Sequence, residues 1–392
     1  MKIILKTVYI MSNNIYLKKG LDLPINGTAA QNTKKVIVPD VVAVKPTDFR
    51  SLVPKLLVRE GDKVLAGTPV LADKMSQNIL FASPVSGTVA EVVRGEKRKL
   101  LEVRIKADAE QEYVDFGVRK VADMTAEQIK KALLAAGLWP ALTQRPYGII
   151  ANPEVKPKAI FVSAFSTAPL AASPEYALRE DLEHIQTAIN ALGKLFNTGK
   201  YDVRRKIAVT GPKAINPAYV EGYPGIAIKD VAEFYNAQEN LRFISGDVLT
   251  GTNVGAEGYL GFFDNQISIL EEGDKYELLG WAKPVRCSQF SASRTYFSWL
   301  TPKKKYDMDT NLHGGPRAFV VNDTYSKVLP MDLFPVHLLK ACLANDIDKM
   351  EKFGIYEVLE EDFALCEYVD PSKIYIQQII TDGIALMLKE MC

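Results

Sequence analysis

A chain of 392 residues, 47% hydrophobic and 24% charged, has an ordinary globular composition and the length for two to four domains. Its 48 basic against 47 acidic residues leave a formal charge of +1, which argues against the concentrated basic face that nucleic acid requires. No apolar run reaches the roughly 20 residues of a membrane-spanning helix, since "LLAAGLWPAL" and "AIFVSAF" are short and interrupted.

The opening "MKIILKTVYIM" mimics a secretory signal but lacks a small-residue cleavage site, so it reads as a short extension with Met11 as an alternative start. Residues 35–106 then alternate β-rich runs ("KVIVP", "VVAV", "KLLV", "TPVLA", "NILFA", "GTVAEVV", "LLEVRI") with turn signals. "REGDKVLAGTPV" resembles a hairpin of barrel-sandwich domains, with Gly61-Asp62 and Gly67 supplying tight turns. Such domains carry lipoyl or biotin on a hairpin lysine, and Lys74 in "LADKMSQNILFASPVSG" is the candidate. Nine residues, Met75–Ser83, separate it from Pro84, two more than the usual carrier spacing, which moves Lys74 off the crown of the turn. A solvated lysine on a rigid hairpin is the favoured reading.

"MTAEQIKKALLAAGLW" predicts a helix with Thr125 as N-cap, Gln128 completing a capping box and Gly137 as C-cap. "KAIFVSAF" (158–165) predicts a buried strand over Ala159–Ala164. Ser173 and Pro174 open a long helix, with Leu178, Leu182, Ile185, Ile189, Leu192 and Phe196 on one stripe and Gly199 at its end. Residues 205–231 return to β, a short helix follows, and "LRFIS" and "NQISILEE" add strands. From "LPMDLFPVHLLKACL" onward the pattern is helical.

"KKGLDLPINGTAAQ" (18–31) resembles the opening of the alpha subunit of the Na+-translocating NADH:quinone oxidoreductase, the Na+-NQR family. "FASPVSGTVAEVVRGEKR", "LWPALTQRPYG", "KAIFVSAFSTAPLAA", "GKLFNTGKY", "GPKAINPA", "ISGDVLTGT" and "LEEDFALCEYVDP" continue the likeness, in order, over about nine-tenths of the chain. The resemblance implies an α/β multidomain fold in four parts. These are a barrel-sandwich hybrid domain (15–110), a reduced Rossmann-like α/β domain (111–202), a β-grasp domain of the soluble ligand-binding type (203–300) and a helical C-terminal domain (301–392). It also implies a peripheral subunit on the cytoplasmic side of the bacterial inner membrane. Its partners would be the other subunits of the pump, chiefly a membrane subunit. It would bind no cofactor itself, with flavins, iron–sulfur centres and quinone in or near other subunits. One departure stands out. Family members carry several dozen more residues between "LAASPEY" and "GKLF", where this chain has one helix.

The chemistry-bearing motifs are sparse. Distant relatives place a glycine-rich phosphate loop where this chain has "AAGLWPALTQRPYG". Pro140 and Pro146 remove N–H donors there, so flavin or NADH binding is the minor alternative. The family's C-x-x-x-C-P trace is "CEYVDP" here, with Cys366 kept and Asp370 in the second position; one thiolate holds no cluster. "GDVLTGT" (246–252) has P-loop spacing without the lysine and reads as a β-grasp turn. His184, His313 and His337 are isolated, and Cys287, Cys342, Cys366 and Cys392 form no metal-binding pair. Basic runs "RGEKRK" and "KKK" (303–305) read as solvated loops. Trp139, Arg145 and Tyr147 are residue types enriched in interface hot spots, and are the candidates for contact with a quinone ring or a partner subunit. Packing of Trp139 at a domain junction is the competing reading. The function expected is a peripheral subunit of the sodium pump that supports assembly and quinone reduction coupled to Na+ export.

Overall fold

The computed structural model describes residues 17–163, 165–180, 194–275, 277, 279–282, 286 and 289–391. The described residues separate into two compact units, one within 23–315 together with 356–359, the other of residues 17–22, 316–355 and 360–391.

The described strands all lie in the first unit. In chain order they are β1 (Ala30–Val36), β2 (Val41–Val44), β3 (Pro54–Leu56), β4 (Lys63–Val64), β5 (Pro69–Asp73), β6 (Leu80–Ala82), β7 (Gly87–Arg94) and β8 (Leu100–Ala107). There follow β9 (Thr143–Gln144), β10 (Ile149–Ile150), β11 (Arg205–Thr210), β12 (Ala218–Gly222), β13 (Leu241–Ser245), β14 (Thr252–Asn253) and β15 (Gln266–Glu271). A four-stranded sheet of order β2-β8-β7-β4 and a three-stranded sheet β3-β5-β6 make the barrel-sandwich. A six-stranded mixed sheet has the order β1-β12-β11-β15-β13-β14. β1, which the sequence groups with the N-terminal strands, pairs parallel with β12 in that larger sheet. One apolar cluster runs through both sheet systems, joining Val42, Leu71, Val85 and Ile105 of the barrel-sandwich to Ile207, Val220, Ile226 and Ile267 of the mixed sheet. Successive side chains of a strand point to opposite faces, so alternate positions are the ones a strand can bury against such a core.

The turn glycines act as their sequence context predicts. Gly61 (φ 89°) and Gly67 (φ 99°) sit in the left-handed region that favours glycine. Helix α1 (Ala126–Ala135) follows the barrel-sandwich strands. Thr125 accepts the Gln128 amide, and Gln128 accepts the Thr125 N–H in return, completing the capping box. Gly137 (φ 68°) ends the helix, as expected.

The α/β layer departs from expectation. The described part of "KAIFVSAF" is not a strand; Ile160, Phe161, Val162 and Phe165 are exposed, Phe161 at 93%, and Ala164 lies outside the described residues. A β-rich apolar run becomes a strand only when a neighbour takes its backbone groups, and no described strand lies beside this one. The predicted long helix does not continue from its start: α2 (Pro174–Ala177), capped by Ser173, ends at Leu178, which is exposed, and residues 178–180 are turns, while a short helix α3 (Lys194–Thr198) precedes Gly199. The middle of the predicted helix, including Leu182, His184, Ile185, Ile189 and Leu192, lies outside the described residues.

In the second unit, helices α4 (Pro335–Leu343), α5 (Ile347–Lys352), α6 (Ala364–Val369) and α7 (Ile376–Met391) bury an apolar core. α7 contributes Ile376, Ile380, Ile384 and Met387, spaced by four, four and three residues along one helical face.

Candidate functional site

Two places combine polar chemistry with accessibility. The first is the hairpin β9–β10. Trp139 stands at its base, half-buried, packed against Leu133, Ala136 and Phe196, and its indole N–H donates to the Ala151 carbonyl at 2.6 Å. Arg145 and Tyr147 stand at the tip. Arg145 is exposed, with Nη1 3.5 Å from the Glu357 carbonyl. The Tyr147 ring lies edge-on to Tyr356 at 5.8 Å, and its carbonyl accepts from Arg50 at 2.6 Å. The structure therefore divides the three candidate residues: Trp139 packs a junction, while Arg145 and Tyr147 share a surface. The hairpin's amides at Leu142, Gly148, Ala151 and Asn152 all donate within it, so these N–H groups are not presented to a phosphate.

The second is a cleft of about 480 Å³ at the start of β11, lined by Arg204, Arg205, Lys206, Asp264, Gln266 and Phe165 among others. Its cations are largely matched. Arg204 grips Asp202 through two bonds of 3.0 and 2.8 Å, and Lys206 meets Glu180 at 3.1 Å. Side-chain bonding to Asp202 raises Arg204 above its usual value. Burial alone would raise Asp202, but the bonds from Arg204 pull its carboxyl below the usual range. Arg205 is different. Its guanidinium donates to the carbonyls of Phe262 (2.9 Å) and Gly261 (3.1 Å), while Nε is sealed from solvent without a partner among the described residues. Burial drives Arg205 down to about 10 against the opposing pull of Asp264, Asp48 and Tyr201.

Arg205 is one of three latches on the loop "GFFD" (261–264), which sequence reasoning missed. Asp48 accepts the Phe262 amide at 2.7 Å and faces Lys45 at 3.4 Å; burial raises its carboxyl, with Lys45 opposing. Ser245 accepts the Gly261 amide at 2.7 Å and donates to Asp264 at 2.5 Å. The latched loop holds Phe262 and Phe263 against Phe49, at 4.9 and 5.4 Å, and Phe49 packs on Phe81 at 4.7 Å. The signal was legible only as two adjacent aromatics before an acid, which has no period to mark it.

The remaining candidates resolve individually. Lys74 is exposed at the shoulder of the β5–β6 hairpin; its amide still donates to Val53 at 2.8 Å, and the turn itself falls at residues 77–78. In "GDVLTGT" the Asp247 carboxylate accepts the amides of Leu249 and Thr250, the donors a phosphate would need. Cys342 and Cys366 are buried thiols, pushed up by desolvation to about 11 and about 12. Asp370 is buried and accepts from the Tyr325 hydroxyl at 2.7 Å and the Ile374 amide at 3.0 Å, a structural hub at the position where a cluster would need a second cysteine. His313 faces Asp309 at 3.3 Å, and His337 lies between the rings of Phe334 and Phe353. Among the described residues no group of three or more His, Cys, Asp or Glu is placed to hold a metal ion.

Comparison with known proteins decides the family. The NqrA N-terminal barrel-sandwich hybrid domain matches residues 15–108, the NqrA second alpha/beta domain residues 124–223, and the NQRA C-terminal domain residues 206–256. The NqrA subunit of the Na(+)-translocating NADH-quinone reductase of Rhodopirellula baltica is 32% identical, over 95% of this chain and 98% of the relative. Its counterparts from Serratia proteamaculans (33%; 96% and 100%) and Actinobacillus pleuropneumoniae (34%; 92% and 96%) match as fully. The chain belongs to the NqrA family. The alignment to the Rhodopirellula relative spans 447 positions against 392 residues here, so that relative carries residues this chain lacks. No described helix of this NqrA-family chain is long and apolar enough to cross a membrane.

Proposed function

We propose that this chain is the peripheral, cytoplasm-facing subunit of a Na+-translocating NADH:quinone reductase, working in assembly of the complex while electrons and Na+ pass through cofactors in other subunits. The observation that carries the reading is the near-full-length match, at 32–34% identity, to relatives that bear this subunit's name. The hairpin supports a docking role: Trp139 fixes its base and Arg50 holds the Tyr147 backbone at its tip, so Arg145 and Tyr147 are kept in a pre-ordered contact surface at little entropic cost. On this reading the same two residues meet a membrane subunit or a quinone ring, as a cation beside an aromatic pair. The tagged chain, produced in its own host, should co-purify the pump's membrane subunits in mild detergent. Arg145→Ala with Tyr147→Ala should lose most of that yield while the chain stays folded. Purification without any membrane subunit would refute the assembly role.

A further inference from the structure

Residues 297–305, "FSWLTPKKK", take no part in either site, yet they form an unusual surface. The turn Phe297–Leu300 leaves Phe297 and Trp299 52% exposed and Leu300 60% exposed. Ser298 between them is buried and accepts the Ser291 amide at 3.1 Å. The turn is closed by the Thr301 amide donating to Ser298 at 3.1 Å and by the Lys304 amide donating to Thr301 at 3.0 Å. Tyr306, buried, fixes the far end through its amide bond to the Pro24 carbonyl at 2.7 Å. The apolar side chains are thus pushed outward by a built scaffold. The rings of Phe297 and Trp299 stand 6.5 Å apart.

Directly after this apolar tip come Lys303, Lys304 and Lys305, all exposed, and Arg294 is exposed on the preceding arm. Lys304 lies over the Tyr306 ring at 5.1 Å, so its stem is directed along the base of the turn. Nearby in the chain, Asp307 accepts from Asn26 at 2.6 Å and Asp309 from Asn311 at 2.9 Å, and Lys305 reaches the Thr28 hydroxyl at 3.5 Å. Exposed tryptophan, phenylalanine and leucine beside a lysine run match the chemistry of a membrane interface. The rings enter the headgroup boundary and the lysines meet anionic phosphates. A protein neighbour would cover the apolar tip, but three lysines in a row suit a dense negative surface better than a typical protein surface, whose charges are mixed.

We infer that Phe297, Trp299, Leu300 and Lys303–Lys305 form a direct contact with the anionic lipid surface of a bilayer. This contact is additional to any docking through the β9–β10 hairpin and needs no other subunit. The test is therefore made on the purified full chain alone, by flotation with vesicles. It should float with phosphatidylglycerol-containing vesicles and stay behind with pure phosphatidylcholine, and raised salt should release it. Lys303→Gln, Lys304→Gln and Lys305→Gln together should weaken binding on the order of a hundredfold, at roughly fivefold per cation. Trp299→Ser with Leu300→Ser should also abolish flotation. The conservative Trp299→Phe variant should still float but lose the blue shift of tryptophan emission that vesicles produce in the parent chain. Failure of the parent chain to float with anionic vesicles would overturn the inference and leave the face to a protein neighbour. Flotation lost in the lysine variant but kept in the Trp299→Ser, Leu300→Ser variant would overturn it too, since it would mean long-range attraction without insertion. An unshifted emission in the parent chain would count the same way. None of these outcomes bears on co-purification of the pump subunits, so the two readings fail separately.

Discussion

Replacing Arg205 by methionine keeps the aliphatic bulk of the side chain and removes its two donors. The Phe262 and Gly261 carbonyls lose bonds of 2.9 and 3.1 Å, and Asp48 and Asp264 lose the cation that faces them. Hydrogen bonds from a charged donor contribute roughly 1.5–3 kcal/mol each, and the apolar isostere recovers part of the burial cost of the guanidinium, which leaves an expected net loss of about 3 kcal/mol. Arg205→Lys keeps the charge but cannot bridge both carbonyls, so about half that loss is expected. The readout is urea unfolding followed by tryptophan fluorescence. With a slope of roughly 3 kcal/mol per molar, Arg205→Met should lower the midpoint by about 1 M. Hydrogen exchange at the Gly261 and Phe262 amides should accelerate in the same variant. Those amides are held by Ser245 and Asp48, so their loosening would report loss of the whole latch. A midpoint within about 0.2 M of the parent, with exchange unchanged, would refute the latch.

The Asp48 carboxyl sits above its ordinary value of 3.8 because burial outweighs Lys45. A raised folded-state value means that its stabilising contribution is present at low pH and is lost as pH rises through that value. The parent should therefore lose stability relative to Asp48→Asn as pH rises above the ordinary carboxyl value of 3.8; a flat or opposite difference in thermal midpoint would contradict this. In the helical unit, Tyr325→Phe should cost roughly 1–2 kcal/mol by leaving an oxygen of buried Asp370 without its donor, and Asp370→Leu should cost more, since the Tyr325 hydroxyl and the Ile374 amide both lose their acceptor. Gly383→Ala would put a Cβ 2.7 Å from the Cys342 sulfur. Overpacking should outweigh the helical gain of about 1 kcal/mol, and adding Cys342→Ala should restore the melting temperature. Arg145→Ala, at an exposed position, should change stability by less than about 0.5 kcal/mol, so any lost co-purification reports on docking.

Local rules determined much of this molecule from its sequence. The strands of residues 41–107 were legible because alternating apolar residues and turn glycines act within a few residues of each other, and Gly61 and Gly67 take the left-handed backbone their turns need. The α1 capping box and its Gly137 end were fixed by close neighbours in the chain. Other features depend on distant partners. "KAIFVSAF" has the composition of a buried strand, yet strand formation requires a neighbouring backbone, and the described residues give it none. β1 crosses to pair with β12, a choice made by a partner far along the chain rather than by its own pattern (Ala30 meets Pro217 and Ala218). The same holds at the sites. The sequence marked Trp139, Arg145 and Tyr147 as one aromatic–basic group, and only the hairpin separates the packing residue at its base from the two at its tip. Asp48, Arg205, Ser245 and Asp264 come from four separate segments, so no spacing could announce their latch; desolvation and hydrogen bonding select them only once the fold has brought them around one loop.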